Sequence, residues 1–325
     1  MNSIIPRVTL WLLLSGYVFV LPAGAAAETS ARVAAWNVAC GRSATGATPI
    51  APDRIERLGE VIAHKIKPDI IVLEEVWPAS AADEIAKAAT KNGFELVAVP
   101  VPLQGSEVVQ LISILKRPGV EVKDAELIEA SNDLIDGDDP EEQTTRKALL
   151  ATARIDRFDF YLVGVHLKSK RASRTLSASP LEMRDRQCRV IADRLHDLIS
   201  GGAEKDILLV GDYNMTPAGQ AAAGESDDEK NFATLNRHRE LRFISSEDKA
   251  PTHLGFFKGG FHRSKLDGYA IARATGKEYV DGSYRSLSDK ALGLEEKQFS
   301  DSRSPKFLSD HFPIVAEFRT ASDDD

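Results

Sequence analysis

The chain has 325 residues, of which 43% are hydrophobic and 28% are charged. This length and composition allow a sizeable core and indicate neither a disordered chain nor a fibre. The formal net charge is −8 at pH 7, so the chain lacks the general attraction for polyanions that a strongly basic nucleic-acid binder has. A phosphate-bearing partner would therefore have to be held by a local basic patch or by a metal ion.

The first 27 residues have the pattern of a cleavable signal peptide. Arg7 precedes an apolar run over residues 8–21, and the small-residue tract Ala23–Ala27 follows it. The run is shorter than the roughly 20 residues that a spanning helix needs, which disfavours the alternative of a membrane anchor. We predict cleavage near Ala27 and export of residues 28–325 to the periplasm or the medium. Cleavage would remove one charged residue, Arg7, leaving a formal charge of −9.

Cys40 and Cys188 are the two cysteines of the chain. Export would place them in an oxidising compartment, where a disulfide can form. The sequence does not determine the distance between their Cα atoms, so a bridged and a free state both stay open.

Strand patterns alternate with amphipathic helices early in the chain, strands dominate the middle, and the alternation then returns. Mixed strands covered by helices predict a layered α/β sandwich, and no linker divides residues 28–325. Strands are predicted over residues 32–39, 69–76, 94–101, 108–116, 120–128, 147–155, 158–167, 206–210, 242–245, 266–272 and 312–318, and helices over residues 53–66, 80–91 and 181–198.

Polar side chains stand at the ends of several of these predicted strands. In an open α/β sheet, residues at strand ends gather along one edge, which is where a site is expected. The residues in question are Asn37, Glu75, His166, Asp212, Asn214, Asp310 and His311.

Each of these residues has an ordinary structural explanation when it is taken alone. Asn37 and the Gly-Asp-x-Asn segment that ends at Asn214 suit a turn at a strand end, and a histidine in a strand, such as His166, is more often a core residue. Glu74 and Glu75 are adjacent in a strand, so only one of them can face a given site. A carboxylate held there suits a hard cation such as Mg²⁺.

Taken together and in this order, the motifs resemble the endonuclease/exonuclease/phosphatase superfamily, which includes DNase I-like nucleases, abasic-site endonucleases, neutral sphingomyelinases and inositol-phosphate phosphatases. The resemblance extends from Trp36-Asn37 to Ser309-Asp310-His311-Phe312-Pro313 and so covers nearly all of residues 28–325. It implies a DNase I-like α/β/β/α sandwich of two mixed β-sheets. It also implies metal-dependent hydrolysis of a phosphodiester by an activated water.

The same resemblance implies a set of metal ligands. Glu75 would be the main ligand, Asn37 would assist it, and Asp310 would support the metal side. Mg²⁺ is the expected cofactor, with Mn²⁺ or Ca²⁺ as alternatives.

The resemblance further implies the catalytic roles. Asp212 would orient or deprotonate the attacking water, and Asn214 would bind a phosphate oxygen. His166 would stabilise developing charge or assist proton transfer. His311 would hydrogen-bond the phosphate or act as a general acid or base, and Asp267 would orient this histidine and raise its pKa.

Two positions depart from the family pattern. Glu74 stands where a glutamine is usual, and we expect it to add negative charge near the metal strand. Gly268 follows Asp267 where a bulkier residue is common, and we expect it to loosen a turn. Neither change removes a catalytic group.

The substrate is less well determined by the sequence. Lys168, Lys170, Arg171 and Arg174 follow His166 closely and are predicted to bind a polyanionic substrate, although a solvated loop is the alternative. A second segment, residues 252–263, interleaves aromatic and cationic residues that could stack on bases or enter a bilayer, with core packing as the default.

Three functions therefore remain open. An exported nuclease that cleaves DNA or RNA comes first, because the basic stretch follows the catalytic strand. A sphingomyelinase-like phosphodiesterase acting on membrane lipid comes second. A non-catalytic binding protein on the same scaffold comes third. No obligate protein partner is evident.

Overall fold

The computed structural model describes residues 29–43, 46–102, 110–128, 147–170, 179–202, 204–216, 226–245, 250–257 and 260–321. The predicted signal peptide, Arg171 and Arg174 lie outside the described residues. Within these ranges, no helix combines the length and the apolar character required to cross a membrane.

The first sheet is mixed and has six strands. Its members are β1 (Ser30–Asn37), β4 (Ile70–Val76), β5 (Val97–Ala98), β6 (Leu111–Lys116), β15 (Arg285–Ser286) and β16 (Ile314–Arg319), in the spatial order β15-β16-β1-β4-β6-β5. β1 and β4 are parallel, and the remaining pairs are antiparallel. The strand predicted over residues 94–101 shrinks to the two residues of β5. A small separate hairpin, β2 (Gly41–Ser43) and β3 (Gly46–Thr48), follows β1.

The second sheet is also mixed and has six strands. Its members are β7 (Glu121–Leu127), β8 (Leu149–Ile155), β9 (Phe158–His166), β10 (Ile207–Asp212), β11 (Leu241–Ile244) and β14 (Asp267–Ala272), in the order β11-β14-β10-β9-β8-β7. β9 and β10 are parallel, and the other pairs are antiparallel.

Helices cover the outer face of each sheet. The first sheet is covered by α1 (Pro52–Val61), its π-helical continuation Ile62–Ile66, and α2 (Ala81–Lys91), and the second by α3 (Pro180–Gly201) and α4 (Ser226–Leu235). Helix α3 begins with a capping box, in which Ser179 and Glu182 satisfy each other's backbone N–H groups. The short helices α5 (Asp289–Leu292) and α6 (Lys297–Ser300) and the 3-10 turn Ala274–Gly276 lie in the connections before β16.

Three apolar layers hold the elements together. One lies between the two sheets and includes the stacked rings of Phe158, Phe160 and Phe318, and the other two lie between each sheet and its helices. Full burial of a side chain of this size contributes about 1.5–3 kcal/mol. The order helix, sheet, sheet, helix confirms the predicted α/β/β/α sandwich.

Both cysteines are buried free thiols. Cys40 belongs to the layer between the first sheet and its helices, whereas Cys188 belongs to the layer outside the second sheet. The two sheets therefore lie between the two thiols. Of the bridged and free states that the sequence left open, the structure has the free one.

The aromatic and cationic segment over residues 252–263 is a β-hairpin, formed by β12 (His253–Phe257) and β13 (Gly260–Ser264). Gly255 and Gly260 dilute the alternation of apolar and polar residues, so the strand pattern was not visible in the sequence. The Phe261 side chain is 50% exposed. A bridge between His253 and His311 joins the hairpin to the segment before β16.

Candidate active site

Strand pairing brings the predicted site residues to one edge of the sandwich. In the first sheet, Asn37 at the end of β1 pairs with Glu74 on β4. In the second sheet, Asp212 at the end of β10 pairs with His166 on one side and with Asp267 on the other. All of these side chains are buried. A cluster of buried polar groups has to be satisfied internally, which makes their mutual contacts informative.

Asn37 links the two sheets. Its Nδ2 atom lies 3.4 Å from Glu75 Oε1 and 3.2 Å from Asp212 Oδ2, and its Oδ1 accepts a hydrogen bond from the Ala39 backbone N–H at 2.9 Å. The amide therefore holds two carboxylates from different sheets close together. An ordinary turn residue at a strand end would not make these contacts.

His166 faces carboxylates, unlike a histidine packed only among apolar core residues. Its Nε2 atom lies 3.4 Å from Asp212 Oδ2 and 3.7 Å from Glu75 Oε1. With 3% of the side chain exposed, these approaches take place away from bulk water. The imidazole is therefore placed to donate towards whatever binds between Glu75 and Asp212.

His311 forms a buried pair with Asp267. Its Nδ1 atom lies 2.9 Å from Asp267 Oδ2, and its Nε2 atom lies 3.8 Å from Asp212 Oδ2. Burial alone would lower the pKa of His311, but the carboxylates of Asp267 and Asp212 outweigh it and hold this pKa well above its ordinary value. Trp36 Nε1 also donates to the His311 carbonyl at 2.9 Å, which fixes the backbone that carries the ring.

Asp212 and Asn214 form a tight turn directly after β10. The Asn214 backbone N–H donates to Asp212 Oδ1 at 2.8 Å, and its Nδ2 lies 3.0 Å from both Asp212 Oδ2 and the Leu167 carbonyl. Asn214 adopts a left-handed backbone with φ of 52°. The two residues that form this Asx turn are therefore also residues of the site, because the turn aims both side chains at the cluster.

Gly211 allows β10 to approach its neighbours closely. Its φ is 135°, and a Cβ atom at this position would lie 2.2 Å from the Val165 carbonyl oxygen and 2.6 Å from Glu74 Oε1. A residue with a side chain would therefore push β10 away from both neighbours.

Both glutamates at the end of β4 are buried, on different sides of the strand. Glu75 has a left-handed backbone with φ of 56° at a register shift in β4, and it faces Asn37. Glu74 lies under Gly211, and neither of its carboxylate oxygens has a hydrogen-bond partner in the described part of the chain. Burial, together with the negative charges of Asp267 and Asp212, raises the pKa of Glu74 well above its ordinary value.

We expected Glu74 to add negative charge near the metal strand. Burial next to the carboxylates of Asp267 and Asp212 raises the pKa of Glu74 and disfavours its charged form, so its surroundings oppose this expectation. The expectation for Gly268 also changes, because it lies within β14, not in a turn, and faces the ring of Tyr213.

The donors of this edge suit a divalent cation. Asp212, Asp267 and His311 each offer a ligand atom, and the three atoms lie within 4.8 Å of one another. Asn37 Nδ2 also approaches Asp212, and Glu75 lies next to Asn37. Carboxylate and amide oxygens are the ligands that hard cations such as Mg²⁺ prefer.

Asp310 lies at the edge of this cluster and is partly exposed. Burial lowers the pKa of Arg54, whereas the charges of Asp310 and Glu75 act in the opposite direction, so both carboxylates lie near this one guanidinium. The predicted metal residues Asn37 and Glu75 are in contact, and Asp310 is near them on the side of the hairpin.

His253 is a residue of this region that the sequence analysis missed. Its ring centroid lies 4.7 Å from that of His311, its Nε2 lies 4.0 Å from Asp310 Oδ2, and its Nδ1 lies 2.8 Å from Ser264 Oγ. The only available signal was a histidine in a segment rich in aromatic residues. It became meaningful only when the hairpin placed this histidine next to His311.

The predicted substrate-binding lysines have partners within the protein. Lys170 Nζ lies 2.7 Å from Asp228 Oδ2, and Lys168 Nζ lies 3.2 Å from the Ser169 carbonyl oxygen. Arg171 lies outside the described residues, so its role stays a prediction. Contact of these three residues with substrate is likewise still a prediction.

Solved structures share this architecture. No protein-family model matches the sequence, and no curated protein is significantly similar to it. TDP2 from D. rerio, determined in complex with a single strand DNA product, is 17% identical with a TM-score of 0.58, over 90% of this chain and 100% of that one. An endonuclease/exonuclease/phosphatase from Bacteroides vulgatus is 15% identical with a TM-score of 0.56, over 90% and 99%. The catalytic domain of human Nocturnin, with a bound sulfate anion, is 17% identical with a TM-score of 0.55, over 89% and 94%.

The chain is an α/β/β/α sandwich of two face-to-face mixed sheets with helices outside, and its cluster of buried polar residues lies at one edge. The similarity to these structures shows that the chain has a DNase I-like fold.

Proposed function

We propose that this chain is an exported phosphodiesterase that depends on a divalent metal and hydrolyses nucleic-acid phosphodiester bonds with an activated water. The observation that carries the proposal is that Asn37 and His311 both approach Asp212 Oδ2. Glu75 lies next to Asn37, and Asp267 pairs with His311. This arrangement combines cation ligands, a base for water and a proton donor at one point.

The protonation of the cluster supports a division of labour. Because the carboxylates of Asp267 and Asp212 raise the pKa of His311 well above its ordinary value, the charged form of the ring is favoured. It then donates a hydrogen bond or a proton to a phosphate oxygen, while Asp212 orients the water or accepts its proton. His166 and Asn214 complete the set of donors around the phosphate. Fixed donors aimed at developing charge are usually a large part of the catalytic effect.

Glu75, Asn37 and Asp310 would hold the metal, for which we propose Mg²⁺, and the bound cation would supply positive charge to the phosphate oxygens. A metal site made by buried carboxylates also provides the local attraction that the net charge of the chain does not.

Nucleic acid is favoured as the substrate class by one of the similar structures, TDP2 from D. rerio, which was determined in complex with a single strand DNA product. A membrane lipid is the weaker alternative. Among the hairpin residues whose side chains are described, Phe261 is the one large apolar side chain that is exposed.

The experiment is hydrolysis of plasmid DNA, single-stranded DNA, RNA, sphingomyelin and bis(p-nitrophenyl) phosphate, with Mg²⁺ and with EDTA. We expect turnover of nucleic acid that both EDTA and Glu75→Ala abolish, while Glu60→Ala, a change at an exposed position of α1, has no effect. Cleavage of sphingomyelin alone would support the lipid alternative. Absence of turnover with any metal would favour the non-catalytic binding protein.

Export is proposed from the pattern of residues 1–27. Expression of the full chain in a bacterium, followed by fractionation and N-terminal sequencing, tests it. A periplasmic or secreted product that begins near Glu28 is the expected result. A full-length product in the cytoplasm would contradict it.

A further inference from the structure

Arg184 on α3 and Asp228 on α4 form an ion pair inside the protein. Arg184 Nη2 lies 3.1 Å from Asp228 Oδ1, and 3% of each side chain is exposed. Arg184 Nε also donates to Asn231 Oδ1 at 2.9 Å. Two buried charges cost so much desolvation that their attraction often fails to offset it. A buried ion pair is therefore weak evidence that it stabilises the fold. Its position suggests instead that it holds neighbouring segments of the chain in place.

The arginine holds the chain that follows His166. Arg184 Nη1 donates to the Lys168 carbonyl at 3.0 Å. Gln187, one turn further along α3, accepts a hydrogen bond from the Lys168 backbone N–H at 2.8 Å. Both backbone groups of Lys168, two residues after His166, are thus bound to the same helix.

The aspartate holds the chain that follows Asn214. Asp228 Oδ2 accepts a hydrogen bond from the Thr216 backbone N–H at 2.9 Å, and the same oxygen lies 2.7 Å from Lys170 Nζ. Thr216 is two residues after Asn214. One carboxylate therefore contacts both the segment after β10 and the segment after β9.

We propose that the Arg184–Asp228 ion pair is a clamp that sets the position of His166 relative to Asp212 and Asn214. The two segments that it joins carry catalytic groups on neighbouring parallel strands, and Asn214 Nδ2 adds a contact to the Leu167 carbonyl at 3.0 Å. Lys170 belongs to this clamp through its contact with Asp228. Arg184 and Asp228 are positioning residues, and their role in catalysis rests on the proposed function.

The test compares Arg184→Gln and the double variant Arg184→Gln/Asp228→Asn with wild type. The double variant replaces the ion pair by two neutral amides, so no unpaired buried charge threatens the fold. The matched control is Arg194→Gln on the same helix, which removes an exposed pair with Glu126 at 2.7 Å. Arg184→Lys tests rescue, because a lysine keeps the charge but lacks the planar fork that reaches Lys168, Asn231 and Asp228 together.

The first readout is hydrogen exchange of the full chain, which does not depend on activity. The segments over residues 166–170 and 212–216 should exchange faster together in both Gln variants, less so in Arg184→Lys, and as in wild type in Arg194→Gln. Unchanged exchange in these two segments would overturn the clamp. Failure of the wild type to hydrolyse any phosphodiester would count against the proposed function only, since exchange decides the clamp by itself.

The second readout is steady-state hydrolysis. A displacement of about 1 Å at a catalytic group costs about 100-fold, so kcat should fall by about that factor while KM changes little. A variant with loosened segments and an unchanged kcat would overturn the link between the clamp and catalysis.

Discussion

Asp212 and Asp267 lie directly opposite each other on β10 and β14, and both carboxylates face the ring of His311. Two like charges in opposing positions of antiparallel strands destabilise a sheet. The imidazole between them offsets this repulsion when it is protonated.

The first prediction concerns Asp267→Asn. Removing this carboxylate takes away the strongest contribution that raises the pKa of His311, so the ring should lose its proton at lower pH. Because the pKa of His311 is higher in the folded protein than in the unfolded chain, protonation of His311 stabilises the fold fully below the unfolded pKa. This stabilisation disappears as pH rises through the folded pKa. Nuclear magnetic resonance titration of the metal-free protein should show the shift of the His311 pKa directly.

The control for this variant is Asp301→Asn, which changes an exposed carboxylate paired with Arg303. It should leave the His311 titration and the pH–rate profile as they are in wild type. A His311 titration that is the same in Asp267→Asn and in wild type would show that Asp267 does not set this pKa.

The second prediction concerns Glu74→Gln. The unfolded chain ionises Glu74 above the ordinary glutamate pKa of about 4.3, whereas burial in the folded protein raises the pKa of this carboxyl well above that value. Stability is therefore lost as pH rises from the unfolded pKa towards the folded one, and glutamine removes this loss. The gain of the variant in free energy of unfolding should grow with pH by up to about 1.4 kcal/mol per unit.

Urea unfolding in EDTA at pH 5 and pH 8 measures this difference. Glu60→Gln, at an exposed position of α1, provides the comparison and should show the pH dependence of wild type. If the advantage of Glu74→Gln were equal at the two pH values, Glu74 would be ionised in the folded protein.

Much of the fold could be predicted because most strands in the middle of the two sheets are distinct apolar runs. The polar ends of those runs marked Asn37, Glu75, His166 and Asp212, and parallel pairing places such ends on one edge. Asp267 and His311 are 44 residues apart along the chain. Their contact could be expected only from the resemblance to known proteins.

Other features depend on contacts that no local pattern encodes. His253 became part of the site through a hairpin whose glycines hide its alternation. The protonation of Glu74 depends on which carboxylates lie around it in space. The contact of Lys170 with Asp228 could not be predicted, because the two residues are distant in sequence and tertiary packing brings them together.

The third prediction concerns the metal ligands. A cation that binds only the folded protein raises its stability in proportion to the logarithm of concentration, by about 2.7 kcal/mol at 100 times Kd. Mg²⁺ or Mn²⁺ should therefore raise the Tm of wild type, and Glu75→Ala should remove most of this increase. Glu60→Ala should keep it. An equal increase of Tm in wild type and Glu75→Ala would place the cation elsewhere.

The last prediction concerns the close approach of β10 to β9. In Gly211→Ala the new Cβ atom would lie 2.2 Å from the Val165 carbonyl oxygen, and its φ of 135° is one that residues with side chains rarely adopt. Strain of this kind costs about 1–3 kcal/mol, and the steric overlap adds to it.

Gly201→Ala near the end of α3 is the matched control, because a Cβ atom there would meet nothing within 4 Å. Denaturant unfolding should show a loss of stability for Gly211→Ala and little change or a small gain for Gly201→Ala, which replaces a helical glycine. Because the displaced strand carries Asp212, the Gly211→Ala protein that still folds should also lose activity, and full activity in that protein would mean that the position of β10 is not critical for the site.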